Sequence, residues 1–150
     1  MVKVKIIMRG ITKNVILYMI KKLGERTEGR KKLMKLMFLV DHYDPESGKI
    51  EKKSFLGNEY LIYYYGVFSF DVMKSYNELV REGKVKEGIQ ITTPVKEIKL
   101  PERVKKKVDI IIQLFGKKRG YELEVFTLRK LGIEPYEKEK FFGRTISEVI

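Results

Sequence analysis

The 150-residue sequence contains no cysteine, no tryptophan and no alanine, and it has a single histidine, His42. The absence of cysteine excludes disulfides, thiolate-bound zinc and a cysteine nucleophile. With one histidine, a metal site would consist almost entirely of carboxylates. No Ser-His-Asp motif and no glycine-rich phosphate loop occur either. We therefore expect a non-enzymatic protein without catalytic residues, metal or cofactor.

Long apolar runs are also missing. The apolar runs, such as residues 61–65 and 110–112, are far too short to cross a bilayer, and the N-terminus has no apolar core of a signal peptide. We therefore expect a cytoplasmic protein without membrane attachment. Glutamine and asparagine are scarce, and 35% of the residues are charged, which is typical of proteins from hyperthermophiles.

Positive charge dominates, with a formal net charge of +12, and it belongs to the two ends of the chain. Residues 1–40 carry 11 basic against 2 acidic side chains, residues 41–90 carry 7 against 9, and residues 91–150 carry 14 against 9. Such a field concentrates polyanions, so double-stranded DNA is the leading partner. A lysine-rich, solvated surface of the thermophilic kind is the alternative explanation.

Apolar periodicity and turn residues predict an α+β fold that is mostly helical. Thr12 is placed to cap the first helix, and Gly24 to end it. The expected elements are a strand over residues 2–8, a helix from Thr12 to Leu23, a helix from Arg30 to about His42, a strand over 50–56 paired through the Gly57-Asn58 turn with a strand over 60–65, and helices over 102–115 and 122–131.

The stretch from residue 60 to residue 93 is the most informative. Residues 60–65 form an apolar run typical of a strand covered on both faces, and Gly66 ends it. Ser69 is placed as the N-cap of a helix that runs to about Glu82, and Gly83 stops that helix. Two short strands around Gly88 then form a wing. The pattern predicts a winged helix-turn-helix core.

This core defines the domain organisation that we expect. Residues 1–93 form the winged-helix-like domain, and residues 94–150 form a C-terminal helical extension packed on it as a single compact unit. The chain is long enough to bury one core of this size.

Two segments resemble a known group of small proteins, the YwgA-like and SocA-like (Panacea) family. They are GRKKLMKLMFLVDH at residues 29–42 and YYYGVFSFDVMKSYNELVREGKV at residues 63–85. The resemblance covers about residues 12–90, with Val67 at a position where the family usually has proline. It implies a helix-rich domain of winged-helix character, a regulatory or antitoxin-like binding role, and no established enzyme activity.

Our leading hypothesis is a winged-helix, DNA-binding transcription regulator whose basic side chains hold phosphate. The predicted phosphate contacts are Arg30, Lys31, Lys32, Lys35, Lys74, Arg81, Lys84, Lys86, Lys105, Lys106 and Lys107. The outer face of the helix that follows Ser69 also carries Asp71, Glu78 and Glu82. Its slightly negative charge opposes deep insertion into the major groove.

Two other hypotheses stay open. The first is a protein-interaction module of antitoxin or adaptor type, which predicts that Ile110, Leu114 and Phe126 form an exposed surface for a partner or a second copy. The second is a metal-dependent nuclease, which requires Asp41 or Asp44 to meet Glu51 and Lys53.

The tyrosines at positions 60, 63, 64 and 65 allow two interpretations. They could stack on single-stranded bases. An uninterrupted apolar strand exposes few of its rings, so we expect core packing instead.

Overall fold

The computed structural model describes residues 2–150, and of residues 2–9 it describes the backbone alone. Within this range, α-helices alternate with two small antiparallel hairpins, which confirms the mostly helical α+β class. The elements are α1 Val2–Leu23, α2 Arg30–His42, β1 Leu61–Tyr63, β2 Gly66–Phe68, α3 Phe70–Arg81, β3 Lys86–Glu87, β4 Ile91–Thr92, α4 Glu102–Phe115, α5 Gly120–Lys130 and α6 Ile146–Val149, with short 3-10 helices at Gly24–Thr27 and Pro135–Phe141.

Helix α2 is the centre of the fold and has the predicted bounds. Every side chain from Lys32 to His42 is buried, because α1, α3, α4, α5 and β2 all contact this helix. Residues 33–40 are apolar apart from Lys35, which suits a helix covered on all sides.

Helix α3 begins and ends as its sequence predicts. The backbone N–H of Val72 donates to Ser69 Oγ at 3.1 Å, and Gly83 takes a positive φ of 73° after the last turn. The apolar spacing of α3 predicts Phe70 on the buried face and Ser75 on the outer face, whereas Ser75 is buried and Phe70 is exposed.

The wing and the C-terminal helices also agree with the sequence. Strands β3 and β4 pair with Lys86 opposite Thr92, on either side of Gly88. Helix α4 has the predicted bounds, and α5 begins at Gly120, two residues before its expected start. Both helices share one apolar core with α1 and α2, so residues 94–150 pack on the preceding part of the chain.

The prediction for the N-terminus is wrong. Residues 2–8 belong to α1 and form no strand, and Thr12 is a buried residue inside that helix, not its cap. An edge strand needs a neighbour to pair with, whereas extending an existing helix adds one hydrogen bond per residue without a new nucleus. Thr12 instead accepts a hydrogen bond at 3.1 Å from the side-chain amide of Asn58.

The predicted pairing of residues 50–56 with 60–65 is also wrong. Strand β1 pairs with β2, with Leu61 opposite Phe68, and residues Tyr64 and Tyr65 form the turn. Gly66 supplies the positive φ of 89° that this short reversal needs. Residues 51–56 are instead bound to the end of α2: the N–H groups of Glu51 and Phe55 donate to the carbonyl oxygens of His42 and Asp41 at 2.7 and 2.8 Å. These backbone groups are therefore not available for a ladder with residues 60–65.

None of the described helices is both long and apolar enough to cross a membrane.

Candidate nucleic-acid interface

Two of the predicted phosphate contacts are not on the surface. Lys32 and Lys35 are 1% and 2% exposed. Lys32 Nζ donates to the carbonyl oxygen of Gly116 at 2.8 Å, and Lys35 Nζ donates to that of Val67 at 2.9 Å. Burial lowers the pKa of both ammonium groups, that of Lys35 to about 7. The prediction of phosphate contacts is wrong for these two lysines, because neighbouring elements cover them.

Arg30 fixes the wing. Its guanidinium makes two hydrogen bonds of 2.7 Å to the Glu87 carboxylate and lies 4.8 Å above the centre of the Tyr76 ring. The Tyr76 hydroxyl donates to the same carboxylate at 2.7 Å. The hydrogen bonds from Arg30 and Tyr76 lower the pKa of Glu87 to about 2. Arg30 therefore links α2, α3 and the wing, and its positive charge is paired with the Glu87 carboxylate.

Lys31 is likewise engaged within the protein. Its ammonium is 2.7 Å from the Glu124 carboxylate and 5.0 Å from the centre of the Tyr65 ring. Lys138 binds the other oxygen of Glu124 at 2.8 Å. The start of α2 thus offers no free group of cations, contrary to the sequence-based expectation.

The acidic side chains of α3 are occupied by contacts within the protein. Lys13 of α1 lies 2.8 Å from Glu78 and 3.4 Å from Glu82. The Asp71 carboxylate accepts the backbone N–H of Glu59 at 3.1 Å. The negative charge opposed insertion of this helix into the major groove. Glu78 and Glu82 share the positive charge of Lys13, and Asp71 is directed towards the backbone of Glu59.

The basic side chains of α3 and the wing face outwards. Lys74, Asn77 and Arg81 are exposed and follow one another at helical spacings of three and four residues, so they share one face. Lys84 and Lys86 continue this basic surface into the wing and are exposed too. No ion pair involves these four cations among the side chains that the structure describes. We call these five residues the α3–wing surface.

The lysines of α4 form a separate group. Lys105 lies 4.0 Å from Asp109, and Lys106 is exposed. Lys107 is partly buried, 5.0 Å from the centre of the Phe55 ring, and burial lowers its pKa. Of the three, Lys106 is the one with neither an ion pair nor a ring contact in the part of the chain with described side chains.

An aromatic cluster lies at the surface around the hairpin β1–β2: Tyr63, Tyr64, Phe68, Phe70 and Phe142. Tyr65 lies beside it in the same turn, with Lys31 over its ring. The expected core packing is right for Tyr60, which is 2% exposed, and wrong for the next three tyrosines. Tyr64 and Tyr65 are 61% and 67% exposed because they form the hairpin turn. A glycine directly after three tyrosines is the sequence signal of this turn.

One of the carboxylates named by the nuclease hypothesis, Asp41, is held by hydrogen bonds within the protein. Asp41 is buried and accepts hydrogen bonds from Tyr60 Oη at 2.7 Å, the Leu56 backbone N–H at 2.6 Å and the Asn58 amide at 3.0 Å. Burial raises its pKa, although these bonds oppose the rise. Among the residues with described side chains, no three His, Asp or Glu could hold a metal ion. The charges of Glu51, Asp41 and Asp44 all act on Lys107. The nuclease hypothesis therefore stays a prediction, without a metal-binding cluster of three such residues to support it in this part of the chain.

The interaction hypothesis expects three apolar side chains of α4 and α5 to be exposed. Ile110 and Leu114 of α4 are 37% and 49% exposed. Phe126 is partly buried, with its ring 5.1 Å from that of Phe115 and 6.1 Å from that of Tyr43. Two of the three expected side chains thus reach the solvent.

No protein-family model matches this chain, and no curated protein and no solved structure is significantly similar to it. Membership of the Panacea family therefore stays a prediction.

Proposed function

We propose that the protein binds double-stranded DNA through the α3–wing surface and acts as a transcription regulator of winged-helix type. The observation that carries this proposal is that Lys74, Arg81, Lys84 and Lys86 are exposed without ion pairs among the described side chains. The acidic side chains of α3, by contrast, are engaged elsewhere. Such a surface attracts phosphate without first breaking internal contacts.

The mechanism is phosphate neutralisation with release of condensed counterions. The four cations bind the DNA backbone. Asn77 on the same helix face is exposed and has its amide NH2 to donate to a base edge, since its Oδ1 accepts from Arg30 at 3.4 Å. The contact of Arg30 with Glu87 and Tyr76 holds the wing in register with α3 before DNA arrives. The surface is therefore organised in advance, which lowers the entropic cost of binding.

The test measures binding of a fluorescent duplex of about 20 base pairs by anisotropy across a salt series. The parent is compared with the variant K74A/R81A/K84A/K86A. Each lost phosphate contact lowers the slope of log K against log salt by roughly 0.9, so we expect the slope to fall by about 3 to 4.

The matched control removes the same charge from another region, as K96A/K99A/K117A/K118A, all at exposed positions. For this control, the slope of log K against log salt should differ from the parent's by no more than about one. Equal losses in both variants would indicate a diffuse basic field in place of a site. No binding of the parent at low salt would end the DNA proposal.

A second candidate function is protein binding of the antitoxin or adaptor type. The exposed side chains of Ile110 and Leu114 on the outer side of α4 favour it. Large apolar side chains are mostly buried in folded proteins, and neighbouring ones that stay exposed can mark a contact surface for a partner. The variant I110S/L114S should abolish a dimer or a captured partner that uses this face. Light scattering of parent and variant at equal concentration measures the dimer directly.

A further inference from the structure

We propose that the aromatic cluster at the tip of the β1–β2 hairpin binds unpaired bases, so that the preferred ligand is a duplex with an adjoining single-stranded segment. This inference rests on the proposed nucleic-acid binding and specifies its ligand. It concerns a second surface, next to the α3–wing surface, and none of its rings belongs to that surface.

The first observation is the exposure of the rings. Tyr64, Tyr65 and Phe70 are each exposed by 60% or more, although aromatic rings of this size are usually withdrawn from water. Centroids of neighbouring rings in the cluster are 4.6 to 6.2 Å apart, as in the Tyr63–Tyr64 and Tyr63–Phe142 pairs. Tyr64 and Phe70 both contact the Tyr63 ring, so two exposed rings belong to one cluster, as stacking of bases on neighbouring rings requires.

The second observation is that the cluster is held in place by backbone contacts. Gly66 lies against α5, so close that a Cβ atom there would be 3.1 Å from the Glu124 side chain. Phe142 is fixed by a backbone bridge to Ile62, and the N–H of Gly143 donates to the Ile62 carbonyl oxygen at 2.8 Å. The rings therefore form a preorganised platform, and ordering them on binding costs little.

The third observation is the charge around the rings. Lys74 is one helical turn beyond Phe70, and Arg144 is exposed two residues after Phe142. Lys31 lies over the Tyr65 ring but is paired with Glu124. A single strand carries a phosphate beside every base and needs both ring faces and cations. An apolar protein segment would need the rings alone, so the cations favour a nucleic-acid strand.

The fourth observation is continuity with the proposed duplex site. Phe70 stands four residues before Lys74 on the exposed face of α3, and that face continues through Asn77 to Arg81. A strand leaving a duplex on the α3–wing surface would therefore meet the aromatic cluster at the start of the helix. The geometry suits a duplex end with an overhang better than a continuous duplex.

The experiment compares three DNA ligands by anisotropy at one salt concentration. They are a blunt duplex of about 16 base pairs and the same duplex with a six-thymidine overhang at either the 3′ or the 5′ end. With the parent protein, we expect one overhang to tighten binding at least tenfold, since stacking adds roughly that factor for each base.

The variant Y64L/Y65L keeps apolar side chains in the turn but removes two stacking faces, and F70L serves as a second variant outside the turn. Both should lose most of the overhang's gain and keep the parent's affinity for the blunt duplex. The control Y121L/Y136L removes two exposed tyrosines outside the cluster and should keep the gain. Thermal unfolding of each variant verifies that it is folded.

The outcomes separate the two proposals. If the blunt duplex binds and neither overhang tightens binding, or if Y64L/Y65L keeps the full gain, the base-stacking proposal is overturned and DNA binding stands. If no ligand binds the parent at low salt, the proposed function fails as well. If Y64L/Y65L changes only self-association of the protein, the cluster is a protein contact and the stacking proposal is overturned.

Discussion

Lys35 is a residue whose environment conflicts with its charge. Its side chain is 2% exposed, and the ammonium has the Val67 carbonyl oxygen as its hydrogen-bond acceptor. Burial, only partly offset by the charge of Glu124, lowers its pKa from 10.5 to about 7. Between about pH 7 and pH 10.5 the lysine is protonated in the unfolded chain and neutral in the folded protein, so the free energy of unfolding rises with pH across this range. Below pH 7 the lysine is protonated in both states, and its contribution to the free energy of unfolding does not change with pH.

The variant K35M tests this at the scale of one residue. We expect the parent's free energy of unfolding, relative to that of K35M, to rise by on the order of 1 kcal/mol per pH unit above pH 7. Urea unfolding at pH 6, 7.5 and 9 measures the difference. The matched variant K106M changes an exposed lysine and should show a constant offset from the parent. A constant offset for K35M too would contradict the lowered pKa.

At the scale of the element, the β1–β2 hairpin depends on Gly66. This residue has a positive φ of 89°, and a Cβ atom there would be 3.1 Å from the Cγ atom of Glu124. The Glu124 side chain has little freedom to move away, because Lys31 and Lys138 both bind its carboxylate. Backbone conformation and close packing thus both require glycine at the base of the aromatic tip.

The substitution G66A separates these two requirements when it is compared with G132A. Gly132 has a similar φ of 77°, but a Cβ atom there would meet nothing within 4 Å. The backbone cost, roughly 1–2 kcal/mol, is common to both variants. We expect G66A to lower the free energy of unfolding by more than G132A, as measured by urea denaturation. Equal losses would show that the contact with Glu124 adds nothing.

At the scale of the whole molecule, α2 joins the two parts of the chain. It contacts α3 and β2 from the first part and α4 and α5 from the second, and all of them belong to one apolar core. Separating residues 94–150 would expose α2 to water along its length. Removing such apolar cover is strongly unfavourable, since burial stabilises by about 25 cal/mol per Å².

We therefore expect the full chain to unfold in a single cooperative transition. Far-UV circular dichroism follows the helices, and tyrosine fluorescence follows the hairpin and its surroundings. The two urea curves should have the same midpoint and the same slope. Different midpoints, with an intermediate that keeps part of the helix signal, would mean that the C-terminal helices unfold as an independent unit.

Local signals in the sequence determined much of the fold. Ser69 and Gly83 predicted the ends of α3, and apolar periodicity predicted α2 and α4 with their observed bounds. The wing around Gly88 was predicted as well. These signals act within a few residues of the chain, through caps, turns and the spacing of apolar side chains, so no knowledge of distant segments is needed.

The tertiary structure alone decided which surfaces are covered. The sequence predicts that Lys32 and Lys35 belong to an exposed, basic start of α2. The carbonyl oxygens that accept their hydrogen bonds belong to Gly116 and Val67, which lie 84 and 32 residues further along the chain. Tyr64 and Tyr65 read as core, yet the turn before Gly66 leaves them in solvent. Periodicity separates the faces of an element, but distant elements determine which face they cover, and with it which cations and rings stay available for a ligand.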